Sequence, residues 1–172
     1  AEERGVSTLV DFFGRDCAER IVADRGQADL VLGNNVLAQV PDLNDFLAGV
    51  GVLLREGGTA TFEFPHLARL VEGLQYDTVY HEHYSYFSLY SIRVALACHG
   101  LDLVDVEELP SHGGSLRVYA AQASERRVAA PAVDELLAWE DDRGLRNADR
   151  YRRFAEDVRG GRFPSPAEPY PE

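Results

Sequence analysis

The sequence predicts an α/β fold: a doubly wound sheet, followed by an antiparallel strand pair and C-terminal helices. Three observations in its 172 residues carry this reading. Short apolar runs and helix-periodic segments alternate three times before residue 65, an order that implies right-handed crossovers and parallel strands. The run ADLVLG at 28–33 is nearly all apolar yet too short for a helix, as in a strand covered on both faces. Two later alternating runs flank PSHGGS, a connection so short that the strands must be antiparallel neighbours.

In order along the chain, AEERG ends a helix at Gly5. Ser7 to Phe13 (STLVDFF) is apolar and β-branched, the pattern of a buried strand. Asp16 to Asp24 places Cys17, Ile21 and Val22 on a helix closed by Gly26, and the ADLVLG strand follows. Leu43, Phe46, Leu47, Val50, Leu53 and Leu54 recur at three- and four-residue steps, giving a helix over Asp42 to Leu54 that Gly57 and Gly58 end. Thr59 to Phe64 (TATFEF) is a strand stopped by Pro65. His66 to Leu74 reads as a short helix, Tyr76 to Ser88 as a loop crowded with Tyr and His, and Leu89 to His99 as a further helix. Leu101 to Glu107 and Leu116 to Ala121 form the hairpin, whose two glycines allow positive φ. Beyond Pro131 two amphipathic helices are expected, around Val133 to Trp139 and Ala148 to Val158. From Gly160 onward the tail, with four prolines among its final nine residues, is expected to be disordered.

Composition narrows the function. All 17 basic residues are Arg, against 29 Asp and Glu, for a net charge of −12, which opposes binding to nucleic acid phosphates or an anionic membrane unless a local basic patch outweighs it. The one dense Arg stretch, Arg143 to Arg153, is interleaved with Asp141, Asp142 and Asp149 and reads as a solvated helix face. No apolar run approaches the ~20 residues of a membrane span, and AEERG is unlike a signal peptide. Cys17 and Cys98 lie far apart with no CxxC spacing, so neither a disulfide framework nor a zinc site is implied and a cytoplasmic location is expected. The chain has no Met, as expected of a processed product or a piece of something longer.

A complete doubly wound nucleotide site has a glycine-rich turn after its first strand, and no GxGxxG is present here. The densest cluster of chemically capable residues is Tyr80-His81-Glu82-His83-Tyr84-Ser85-Tyr86. Imidazole titrates closest to neutrality, so His81 or His83 could remove a proton, with Glu82 orienting a neighbour. The plain alternative is a surface loop of hydrogen-bonded tyrosines. Its place just past the carboxyl end of a parallel strand, where such sheets bind ligands, favours function. A metal site is the lesser reading, because two histidines two residues apart face one way only on a strand. Asn34 and Asn35 close the second strand at the same edge, suited to ligand amino and carboxylate groups or simply to a turn. Asp11-Phe12 could pair with an adenine amino group and cover its face, or merely cap a helix. His112, Gly113, Gly114, Ser115 and Arg117 could cradle an anion, or form an ordinary glycine hairpin.

These segments resemble a known family. VDFFG at 10–14, ADLVLGNNVLAQVPDLNDF at 28–46, GGTATFEFPHL at 57–67, YDTVYHEHYSYFS at 76–88 and ELPSHGGSLRVY at 108–119 are similar to the S-adenosylmethionine-dependent sugar C-methyltransferases. YHEH and HGGSLR are the specific parts. The resemblance implies a class I methyltransferase (Rossmann-like) sheet lacking its first two strands, and a nucleotide-linked 4-keto-6-deoxy sugar as substrate. It implies a partial methyltransferase domain over 1–123, a helical segment over 124–159 leading to a truncated C-terminal domain, and the tail over 160–172. Without those two strands, the strands at Thr8 and Leu30 should flank a gap or pair directly. By resemblance His83 is the general base, Glu82 assists it and Tyr80 lies near the substrate. Asp11, Phe12, Asn34, Asn35 and Gln39 border the cofactor S-adenosylmethionine, while His81, Tyr84, His112, Ser115 and Arg117 border the sugar nucleotide. Zinc belongs only to an N-terminal family region that this chain lacks. Gln39 stands where relatives often carry His. Two other readings stay open: a nicotinamide-dependent Rossmann dehydrogenase fragment, which the alternating strands alone permit, and a non-catalytic interaction domain.

Overall fold

In the computed structural model, residues 2–161 are described; the expected disordered tail, apart from Gly160 and Gly161, lies outside them. Helix α1 (Arg15–Arg25) precedes strand β1 (Ala28–Asn34), and α2 (Leu43–Leu53) runs directly into β2 (Leu54–Pro65). Then come α3 (Leu67–Glu72), α4 (Leu89–Ala97), β3 (Leu101–Leu109), β4 (Ser115–Gln122), α5 (Pro131–Asp142) and α6 (Ala148–Arg159). The four strands form one sheet in the order β1-β2-β4-β3. β1 and β2 are parallel, whereas β4 is antiparallel to both β2 and β3. The α/β class and the hairpin read from the sequence are as expected, and each helix foreseen beyond Gly14 is present within a few residues of its expected ends; the helix expected to end at Gly5 is a single 3-10 turn over Glu2–Arg4.

The helices start where local chemistry satisfies their first N–H groups. The Asp42 carboxylate accepts from Asp45 N–H at 3.0 Å and caps α2, and Ser88 with Ser91 forms a capping box on α4. α1 follows Gly14, which has no side chain to cap with; instead the carboxylate of Asp45, on the neighbouring α2, accepts from Arg15 N–H at 3.1 Å. The two helices approach closely at glycine, for a Cβ on Gly49 would sit 2.7 Å from the carbonyl carbon and oxygen of Gly14. Phe62 and Phe64 of β2 stand on the face that packs with Leu47 and Val50 of α2 and with Leu89, Ile92 and Leu96 of α4, all fully buried.

Two expectations are corrected. Ser7 to Phe13 is not a strand but exposed coil, with Val10 96% and Phe12 95% exposed. Among the described residues no segment pairs with it, and a strand without a ladder leaves its backbone groups to water. The anticipated gap or direct pairing with the Leu30 strand therefore does not arise; β1 is simply the edge of the sheet. β1 is also not covered on both faces. Val31 packs on the core, but Leu30 and Leu32 are 54% and 66% exposed on the opposite face, where they sit in register with Thr59 and Thr61. Their apolar character fits a covered strand; no helix among the described residues covers that side.

Candidate active site

The parallel pair β1 and β2 ends at Asn34 and Pro65, and the cluster foreseen from the sequence gathers beside those ends. After β1 the chain turns at Asn35, which adopts a left-handed φ of 53° while its N–H bonds Glu63 O at 2.8 Å. It then makes a single 3-10 turn at Leu37–Gln39. The carbonyl of Ala38 in that turn accepts from Tyr84 N–H (2.8 Å) and Ser85 N–H (3.2 Å). These two bonds fasten the Tyr80 to Tyr86 loop to the segment that carries Asn34, Asn35 and Gln39.

Within the loop His83 sits between two aromatic rings. The Tyr80 ring lies over it at 4.5 Å between centroids, with Tyr80 Oη 3.3 Å from His83 Nε2, and Tyr86 meets it edge-on at 5.7 Å. The backbone turns back as His83 N–H donates to Tyr80 O at 3.1 Å. His83 is half-buried, while Tyr80, His81, Glu82 and Tyr84 are exposed. The side chains of His81, Glu82, Tyr84, Asn34, Asn35 and Gln39 have no hydrogen-bond partner among the described residues, which leaves several polar groups at one sheet edge for a ligand.

The other foreseen residues are differently engaged. Asp11 accepts from Phe12 N–H at 2.8 Å and forms an ion pair with Arg20, so a ligand there would share the carboxylate with that guanidinium. His112 is exposed at a φ of 55°, in a turn where Gly113 and Gly114 also take positive φ. Ser115 Oγ donates to Ser111 O at 2.9 Å, and Arg117 bonds Glu63 at 2.9 Å and pairs with Glu107 at 3.5 Å. The Glu63 hydrogen bond, with Tyr119 next, raises the Arg117 pKa above its ordinary value. An anion at this turn would compete with two carboxylates.

Sequence reasoning missed two residues here. Glu63 is buried on β2 and lies in one rung with Asn34, Arg117 and Glu107 across all four strands; its place in TATFEF as the lone acid of an apolar strand was the available signal. Glu140, discussed below, carried none, whereas Tyr86, foreseen as part of the loop cluster, has its hydroxyl buried without a partner among the described residues. Among the described residues no three His, Cys, Asp or Glu converge as a metal would require, and no helix is long and apolar enough to cross a membrane.

Comparison with known proteins decides the family. A model described as "Methyltransferase domain" matches residues 2–106, and one described as "C-methyltransferase C-terminal domain" matches residues 110–163. The chain belongs to the methyltransferase-domain family. As a methyltransferase domain it is 41% identical to the C-methyltransferase NovU of Streptomyces niveus over 155 residues, 90% of this chain but 37% of that protein. The chain thus spans little over a third of the length of that curated relative. A solved S-adenosylmethionine-dependent methyltransferase from Anabaena variabilis shares the fold at a TM-score of 0.50 and 11% identity, covering 67% of this chain and 57% of its own. The likeness to C-methyltransferases expected from YHEH and HGGSLR is found.

Proposed function

We propose that this methyltransferase domain serves S-adenosylmethionine-dependent C-methylation of a nucleotide-linked 4-keto-6-deoxy sugar. The observation that carries the reading is the His83 imidazole, held between Tyr80 and Tyr86 on a loop fastened beside the carboxyl ends of two parallel strands. The likeness to a C-methyltransferase supports methyl transfer to carbon.

A proton α to a ketone is weakly acidic, so an imidazole close to neutrality is a suitable base for it. His83 takes that proton, and the C–H electrons pass into the substrate as an enolate whose carbon would accept the methyl group that S-adenosylmethionine gives up. Tyr80, in contact with Nε2, fixes the ring, and Glu82, free and one residue away, supports the charge that His83 gains. S-adenosylmethionine supplies the electrophilic methyl group. The residues present fit part of that cofactor, since the unengaged carboxamides of Asn34, Asn35 and Gln39 offer donors and acceptors to its amino, carboxylate and hydroxyl groups. Holding the two reacting carbons in line supplies much of the remaining rate.

The test is transfer from methyl-13C-labelled S-adenosylmethionine to such a keto-sugar nucleotide, using the protein as it occurs in its cell. A carbon-bound labelled methyl group is expected; an oxygen-bound methyl group, or none, rejects the reading. Calorimetric binding of a nicotinamide dinucleotide with no response to S-adenosylhomocysteine would favour the dehydrogenase alternative.

A further inference from the structure

Between the end of β2 and the start of α4 the chain makes one excursion, which contains α3 and the whole Tyr80 to Tyr86 loop. The two feet of that excursion meet. His66 forms a bridge with Phe87, and Leu67 N–H donates to Phe87 O at 2.9 Å. A single carboxylate from another part of the chain grips both feet. Glu140 of α5, 2% exposed, accepts from His66 Nε2 at 2.8 Å on the outgoing side, and from Leu89 N–H at 2.6 Å and Tyr90 N–H at 3.0 Å on the returning side.

A buried carboxylate is costly unless hydrogen bonds replace its water. Here three donors do so, and two of them are the first N–H groups of α4, where the helix dipole favours an anion. Because both of its oxygens are engaged, Glu140 tolerates neither foot moving without losing a charge-assisted bond. The surroundings strengthen the clasp. Trp139, the preceding residue, lies under the guanidinium groups of Arg143 (3.7 Å) and Arg69 (4.5 Å), and Arg143 bonds Glu72 of α3 at 2.7 Å. α5 therefore also holds the helix inside the excursion.

We infer that Glu140 is a positioning residue for the His83 loop, clasping its two ends to α5 so that the loop stays seated on Ala38. The inference deepens the proposed function and rests on that reading only for the word catalytic; the clasp itself is measured without substrate or cofactor.

Glu140→Gln keeps the size of the side chain but turns one acceptor into a donor facing a donor. In the folded variant, amide hydrogen exchange at Tyr84 and Ser85 is expected to accelerate about tenfold or more beyond any change at the β2–β4 ladder amides. The ring-current-shifted imidazole signals of His83 should move toward those of an unstacked histidine. Equal acceleration at all slowly exchanging amides, or unmoved His83 signals, would overturn the inference, since a residue of merely general stability loosens the whole domain together. Should Glu140→Gln fail to fold, His66→Phe, which keeps a ring but removes one donor of three, decides by the same readouts: selective loosening supports the clasp and uniform loosening overturns it. Failure of the methylation assay with this selective loosening present would sink the catalytic reading and leave the clasp standing.

Discussion

Two carboxylates show what single residues do here. Asp45 caps a helix to which it does not belong, because Gly14 offers no side chain to Arg15 N–H. Asp45→Ala should cost about 1 kcal/mol, seen as a lower urea midpoint with an unchanged slope. Glu125 is pushed up by burial, but the Gly57 N–H at 3.0 Å and Arg127 at 2.8 Å outweigh that and leave its carboxyl below the ordinary 4.5. A depressed folded value means that its contribution is complete above the unfolded value and fades as pH falls through the folded one. Stability below about pH 4.5 should therefore fall less steeply for Glu125→Gln than for the parent chain in pH-dependent denaturation. At this scale the sequence was informative wherever a residue acts on its neighbours, as Asp42 and Ser88 do. Where the partner is distant it was silent. Nothing beside His66 or within ten residues of Glu140 announces the bonds that Glu140 makes to His66, Leu89 and Tyr90.

Helices α1 and α2 pack through a glycine contact, so Gly49→Ala forces the backbones apart. It should destabilise the chain by about 1–3 kcal/mol, measured by chemical denaturation. Periodicity revealed α2 because five of its apolar residues recur at three- and four-residue steps, and it revealed β2 and the hairpin because their neighbours lie within the chain. It misread Ser7 to Phe13 because strand propensity expresses itself only against a partner strand, and the described residues provide none. It misjudged Leu30 and Leu32 for a related reason: an apolar run states what a strand can bury, not what lies above it. The loop at Tyr80 to Tyr86 was legible as a candidate site by composition and by its place after a parallel strand. Its seating on Ala38 and the two rings around His83 are tertiary facts, visible only in the fold.

Taken whole, the domain joins an acidic, Arg-only surface to a sheet whose carboxyl edge gathers free carboxamides, a stacked imidazole and an unengaged glutamate. The side chains of Arg143 to Arg153, expected to be solvated, are partly structural: Arg143 and Arg146 lie over Trp139 and Tyr90. α6 nonetheless has no buried residue. The central claim is that His83 is the base, and the most direct measurement is solvent exchange at the carbon beside the sugar ketone, followed by NMR in deuterium oxide with the protein as it occurs in its cell. The parent protein should wash deuterium into that position, and His83→Ala should lose at least about 100-fold in exchange rate while still binding S-adenosylhomocysteine; exchange that persists undiminished in the variant would contradict the account.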